Sequence, residues 1–207
     1  MLKQLNAPLK EVLKVIQYRL SKSTYLGVPI AKNPLDFWVY QEIIYKTRPQ
    51  VIIEIGNGYG GMLLAAANLC DILGSGTVIG VDINNERIYP QVCNHKRIIT
   101  IKGDACAVFA EVEKLIQRNS KVFIIEDSSH SYNNTLNVLR TYSVLNRIGD
   151  YFVVEDGICG HGLDIGPSPG PYEAVKEFLK ENKNFIVDET KESFMITWNP
   201  GGYLKRV

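Results

Sequence analysis

Histidine and cysteine are scarce in this chain. Its 207 residues include only three histidines and four cysteines. Cys70, Cys93, Cys106 and Cys159 form no CxxC pair and show no zinc-ligand spacing. That excludes a zinc ribbon, and four free thiols in a reducing cytoplasm are expected instead. An excess of one charge is also missing. Twenty-three basic residues face 22 acidic ones, for a net charge of +1. They are scattered, so no basic stripe marks a nucleic-acid or anionic-membrane partner. Apolar runs stay far short of the roughly 20 residues a membrane helix needs. Lys3, Lys10, Glu11 and Lys14 break up the region where a signal peptide would carry its apolar segment. Internal repeats and low-complexity tracts are absent.

What is present reads as one soluble globular unit, with 45% hydrophobic and 22% charged residues. Short β-branched runs alternate with helical patterns. The runs are Val51–Ile55, Thr77–Asp82, Ile98–Lys102, Val122–Glu126 and Tyr151–Glu155, followed by Phe185–Asp188 and Ser193–Trp198. The first five are nearly continuous apolar stretches, as expected of parallel strands covered on both faces. Between them, Met62–Leu73, Val108–Arg118, Tyr132–Asn146 and Tyr172–Asn182 are long enough for crossover helices. Ser131 is a candidate N-cap and Gly149 a candidate helix stop. The final two runs are joined by a short polar turn near Glu189–Glu192, which predicts an antiparallel hairpin.

Residues 1–50 form a helical extension, or cap, outside the core of residues 51–207. Leu2, Leu5, Leu9, Val12, Leu13, Ile16 and Leu20 recur there at helical spacing. The exposed apolar face of that helix is a candidate contact for a second subunit in a homo-oligomer. Gly157–Pro171, rich in Gly and Pro, follows a strand end and reads as an active-site loop or lid.

The most specific motif is Glu54-Ile55-Gly56-Asn57-Gly58-Tyr59-Gly60-Gly61, which closes a strand and opens a helix. Glycines let the chain turn sharply and bring its backbone against a ligand. Gly56, Gly58 and Gly61 also satisfy GxGxxG, so the glycines alone leave a nicotinamide cofactor open. Glu54 tips the balance, because an acid there can hold the ammonium group of a bound amino acid. Asp82 ends the next strand, where a carboxylate accepts ribose hydroxyls. Asp104, followed by Ala105, ends the third, where an acid accepts an adenine amino group. Glu54, Gly56, Gly58, Tyr59, Gly60, Asp82, Asp104 and Ala105 are therefore the candidate cofactor-binding residues, and S-adenosylmethionine is the candidate cofactor.

The fourth and fifth runs end in Asp127 and in Glu155-Asp156. Neighbouring strands place these three acids in one crevice. Clustered carboxylates repel unless a cation offsets them, and hard oxygen ligands in a partly open site suit Mg²⁺. A metal lowers the pKa of an acceptor hydroxyl, and a base then takes the proton. His130 is the candidate base together with Asp127. His161 competes, whereas His95 reads as structural. Glu126 replaces Asp127 if the register is off by one.

The strand pattern resembles that of class I methyltransferases. The chain as a whole resembles the cephalosporin hydroxylase / rhamnosyl O-methyltransferase family, which includes macrolide-sugar O-methyltransferases. The resemblance is carried by Tyr25-Leu26-Gly27-Val28-Pro29, Lys32-Asn33-Pro34, Tyr40-Gln41-Glu42 and the glycine motif. It continues in Asp127-Ser128-Ser129-His130-Ser131, Val153-Val154-Glu155-Asp156, Gly170-Pro171, Glu173-Ala174-Val175, Phe178-Leu179 and the tail Asn199-Pro200-Gly201-Gly202-Tyr203-Leu204. It implies a Rossmann-like α/β fold with a seven-stranded, mostly parallel sheet. It also implies S-adenosylmethionine and Mg²⁺ as cofactors, with Asp127, Glu155 and Asp156 as metal ligands and His130 beside the acceptor hydroxyl. One departure stands out: where the family has a second acid in Asp-Ser-Asp-His, this chain has Ser129.

The expected function is Mg²⁺-assisted O-methyl transfer to a hydroxyl of a sugar or secondary metabolite. The alternatives are a nicotinamide-dependent oxidoreductase using the overlapping GxGxxG, and a non-catalytic S-adenosylmethionine-binding module. Tyr25, Trp38, Tyr132 and Tyr172 are candidates either for stacking on an acceptor ring or for the core.

Overall fold

Before any strand of the main sheet forms, the chain builds a helix, a tight hairpin and a second helix. The computed structural model describes residues 7–207, so Leu2 and Leu5 of the expected apolar stripe lie outside the described residues. Helix α1 spans Leu9–Leu20. It buries Leu13 and Leu20 and leaves Leu9, Val15 and Tyr18 exposed. Strands β1 (Thr24–Tyr25) and β2 (Val28–Pro29) pair antiparallel across Leu26-Gly27. Both turn residues have positive φ, 48° and 85°, which suits the twist of a two-residue hairpin. Helix α2 spans Pro34–Thr47, and the Asn33 side chain caps it by accepting from the Leu35 N–H.

The parallel core follows. Strand β3 is Val51–Ile55, β4 is Thr77–Asp82, β5 is Ile98–Lys102, β6 is Val122–Glu126 and β7 is Tyr151–Val154. Helix α3 (Gly61–Leu73) links β3 to β4, and the short α4 (Pro90–Cys93) links β4 to β5. Helix α5 (Phe109–Lys114) precedes β6 and α6 (Tyr132–Tyr142) precedes β7. Helix α7 (Pro171–Glu181), β8 (Phe185–Val187) and β9 (Tyr203–Arg206) complete the chain. The seven-stranded sheet has the order β5-β4-β3-β6-β7-β9-β8, with β9 antiparallel to both neighbours.

Side chains alternate across this sheet because a strand repeats every two residues. Ile52, Phe123 and Val153 pack under α2 and α3. Ile53, Ile124 and Phe152 pack under α6 and α7. Burying each such side chain contributes about 1.5–3 kcal/mol. Strand order reverses between β3 and β6, and the crevice at their carboxyl ends is where an open α/β sheet places ligands.

Four expectations need correction. Strand β5 lies at the sheet edge, so Ile99 is partly exposed instead of covered on both faces. Helix α5 ends at Lys114, short of the expected Arg118. The last strand is Tyr203–Arg206, not Ser193–Trp198. That segment is captured by Asp36, a buried carboxylate on α2. Asp36 accepts from Thr197 Oγ1 at 2.5 Å, from the Trp198 N–H at 2.8 Å and from Tyr203 Oη at 2.7 Å. Trp198 is thereby packed with Leu13, Leu20, Ile158 and Leu163, and Met195 is left almost fully exposed. The antiparallel pair is thus joined by a long tethered excursion rather than a short turn. Gly149, at φ 91°, donates to the Arg206 carbonyl and serves as a turn into β7, not as a helix stop.

Candidate active site

A cleft of about 740 Å³ opens at the strand-order reversal. The glycine loop forms its floor. At Gly56, φ is 94°, and a Cβ would sit 2.1 Å from the Asp127 carbonyl oxygen, so only glycine lets the ends of β3 and β6 come together. At Gly58, also left-handed, a Cβ would meet only open space. Gly60 and Tyr59 complete the turn, and Tyr59 lies edge-on to Tyr89.

Glu54 reaches into the cleft from β3 and is buried. Its Oε2 has no hydrogen-bond partner, a costly state unless a donor arrives. Burial pushes its carboxyl up to about 8, against the pull of Lys32. Asp82 ends β4 and ties down the loop. Its Oδ2 accepts from the Asn57 N–H at 2.7 Å and the Gly58 N–H at 3.3 Å, and its Oδ1 from the Asn84 N–H at 2.9 Å. Asp104 follows β5, lines the cleft beside Ala105 and accepts from the Ala107 N–H. Of the cofactor-side residues expected from the sequence, Glu54, Gly56, Gly58, Tyr59, Asp82, Asp104 and Ala105 line one continuous cleft, whereas Gly60 packs against Val92 behind it.

The other end of the cleft is acidic. Asp127, His130 and Asp156 each offer an atom within 4.8 Å of the others, the one such group of potential metal ligands among the described residues. His130 Nε2 lies 3.3 Å from Asp156 Oδ2 and 3.9 Å from Asp127 Oδ1. Both His130 and Asp156 have left-handed backbones, with φ 55° and 57°. That conformation is uncommon for non-glycine residues and clusters at functional sites. Burial, then the charge of Asp127, raises the Asp156 carboxyl to about 6, while His130 and Lys32 pull the other way.

Glu155 stands apart from that group. Its Oε1 accepts from Lys32 Nζ at 2.6 Å. Lys32 also bonds Asp127 Oδ2 and lies 3.4 Å from Glu54 Oε1. Burial alone would lower the lysine pKa, but Asp127, Glu155 and Glu54 outweigh it and hold the ammonium well above its ordinary value. The sequence reading placed Lys32 only within a family motif. Its delivery depends on Gly61, where a Cβ would lie 2.4 Å from the Pro29 carbonyl oxygen. That absence lets the hairpin of the N-terminal extension rest on the glycine loop, with Lys32 three residues further on.

Several other residues are now placed. Glu126 is fully buried and bonds Ser128 and Thr135, so Asp127 is the cleft residue of this strand end. Ser129 lines the cleft, with its hydroxyl 3.1 Å from that of Ser131. His161 pairs with Glu173 at 2.5 Å, packs at a tilt against the Tyr172 ring and does not line the cleft. His95 sits by Asp71, as a structural role requires. The expected lid segment packs inward through Ile158 and Leu163. Tyr25 leans on Phe37, Trp38 is exposed and Tyr132 packs on the core; none of them lines the cleft. Gln17 and Trp198 do line it, joined by a 2.6 Å bond from Trp198 Nε1 to Gln17 Oε1. No local pattern announced that pair, because its members are 181 residues apart.

Residues 17–207 match the family model described as Rhamnosyl O-methyltransferase/CmcI. The rhamnosyl O-methyltransferase of Mycobacterium tuberculosis is 32% identical over 193 residues, covering 90% of this chain and 79% of that protein. Its Mycobacterium leprae counterpart is also 32% identical over 193 residues, covering 89% of this chain and 83% of that protein. A solved CmcI structure, described with magnesium and S-adenosylmethionine, superposes with a TM-score of 0.73 at 25% identity, over 90% of this chain and 77% of its own. Sequence and fold thus agree with the acidic, glycine-floored cleft, and this chain belongs to the rhamnosyl O-methyltransferase/CmcI family.

Proposed function

We propose that the cleft holds S-adenosylmethionine along the ends of β3, β4 and β5 and Mg²⁺ at the ends of β6 and β7, and that the methyl group passes to a hydroxyl of a sugar or sugar-bearing natural product. The chain is an S-adenosylmethionine-dependent O-methyltransferase of the family named above. A nicotinamide-dependent reaction is not favoured, because the relatives are methyltransferases. The observation that carries the reading is the meeting, in one cleft, of an unpartnered buried Glu54 Oε2 with the Asp127–His130–Asp156 group.

The residues present fit both groups. Glu54 Oε2 is a buried acceptor in want of a cationic donor, as the amino-acid end of the cofactor supplies. Asp82 and Asp104 line the cleft where ribose and adenine are expected, with Gly56, Gly58, Tyr59 and Ala105 as the surrounding backbone wall and Gly60 as the turn residue that leads into α3. Asp127 and Asp156 offer hard oxygen donors suited to Mg²⁺. Glu155, the third acid of the expected set, is bonded to Lys32 and would have to give up that partner to join them. When bound, the cofactor supplies an electrophilic methyl group and the metal lowers the acceptor hydroxyl pKa.

The chain's own side chains do the rest. Asp127 and Asp156 orient the acceptor oxygen. His130, whose Nε2 faces both acids, takes the hydroxyl proton. The hydrophobic strands beneath exclude water and hold these groups within a fixed frame. Leu9, Val15 and Tyr18, exposed on α1, make that helix a candidate subunit contact. The test is transfer of radiolabelled methyl from S-adenosylmethionine to a panel of rhamnosides and macrolide glycosides. Turnover that is lost with EDTA and in Asp156→Ala is expected. Turnover that survives both rules out the metal role.

A further inference from the structure

Among the described residues, one buried cation is shared by three acids from three different strands. Lys32 Nζ bonds Asp127 after β6 and Glu155 after β7, and lies 3.4 Å from Glu54 on β3. Its side chain is 5% exposed, so water does not screen these contacts. The same Asp127 carboxylate belongs to the group able to hold a metal. A divalent ion and the lysine ammonium therefore draw on the same carboxylate.

We propose that Lys32 is a positioning residue that acts as an internal counter-cation: it holds Asp127 and Glu155 in place, and a divalent metal must displace it from them, so Lys32 sets how tightly the site takes a metal. The proposal rests on the reading of Asp127 and Asp156 as metal-holding residues. Three acids crowded at the strand-order reversal would repel one another without a cation. Lys32 holds them together before any metal arrives. It also opposes that arrival, since its charge sits at hydrogen-bond distance from one of the carboxylates the metal needs. The N-terminal extension thus contributes a charge to the reaction centre and does more than cover it.

The probe is Mn²⁺ alone, titrated into cofactor-free protein and followed by the loss of its free-ion paramagnetic resonance signal. Lys32→Met is expected to bind Mn²⁺ about tenfold more tightly or better, because a neighbouring positive charge in a weakly screened site is gone. Lys32→Arg keeps the charge and should stay within about threefold of the native chain. Unchanged or weaker binding by folded Lys32→Met overturns the proposal, while Mn²⁺ binding by the native chain leaves the metal reading standing. Binding by neither protein overturns both. Binding by Lys32→Met alone supports Lys32 as the competing cation. If Lys32→Met does not fold, Lys32→Met/Glu54→Gln, which removes one of the acids along with the ammonium, is compared with Glu54→Gln. Tighter Mn²⁺ binding by the double variant supports the proposal, and equal binding overturns it.

Discussion

The backbone N–H of Asp156 donates to Oδ1 of Asn199 at 3.2 Å. Asn199 is fully buried, and its Nδ2 donates to Tyr40 Oη at 2.7 Å. The left-handed backbone of Asp156 is thus held from the C-terminal tail, which Asp36 in turn anchors to α2. Asn199→Ala should leave the Asp156 N–H without this partner and cost about 1–3 kcal/mol of stability. Urea unfolding checks this, and methyl transfer should fall as Asp156 loses its aim. Wild-type stability together with wild-type turnover would remove Asn199 from the account.

Gly56→Ala should be more severe. The added Cβ would meet the Asp127 carbonyl at 2.1 Å, on a backbone at φ 94°. Neither atom belongs to a flexible side chain, so the ends of β3 and β6 must separate. A loss of at least about 2 kcal/mol is expected, with cofactor binding abolished. Urea midpoints and calorimetry read the two effects separately. Gly58→Ala meets only open space and strains the backbone alone, so it should destabilise the protein less.

Cofactor uptake should depend on pH through Glu54. Burial raises its carboxyl to about 8 in the ligand-free chain, so at pH 6–7 the group is mostly protonated. An incoming ammonium needs the carboxylate, so binding expels a proton there. Affinity for S-adenosylhomocysteine should therefore rise with pH, by up to about tenfold per unit below 8, and level off above it. Glu54→Gln should bind weakly and lose this slope. Calorimetry in two buffers of different ionisation enthalpy counts the released proton directly. Equal apparent enthalpies in the two buffers at pH 6.5 would contradict the prediction.

His130 and His161 should separate cleanly. His130 Nε2 faces Asp127 and Asp156, whereas His161 is paired with Glu173 outside the cleft. His130→Ala should lower kcat by about 10²–10⁴-fold with little change in cofactor affinity. His161→Ala should leave kcat within a few-fold. The reverse ranking would assign the base to the loop after β7.

Much of the site was legible because its acids sit at strand ends. Asp82, Asp104, Asp127 and Asp156 each follow an apolar run, and a parallel sheet gathers such ends along one edge. The place of Lys32 among these acids was not legible. It lies 95 residues from Asp127, and only the approach of Pro29 to Gly61 carries it in. The last strand was misplaced for a related reason. Ser193–Trp198 alternates like a strand, yet Asp36, 161 residues away from Thr197, captures it through hydrogen bonds that no local pattern records. Burial of Glu155 could be read from its strand, but its partner could not. In each case the deciding contact joins residues far apart in the chain, and at Ser193–Trp198 it overrides the local pattern.

The central claim is that this cleft takes S-adenosylmethionine through Glu54 beside a metal-holding acid group. Isothermal titration of S-adenosylmethionine into the native chain, with Glu54→Gln in parallel, tests it most directly. The account predicts one site per chain in the native protein and a Kd at least about tenfold weaker in the variant, since a charge-assisted bond to a buried carboxylate is lost. A folded native chain that binds NADH and leaves S-adenosylmethionine in solution would contradict it.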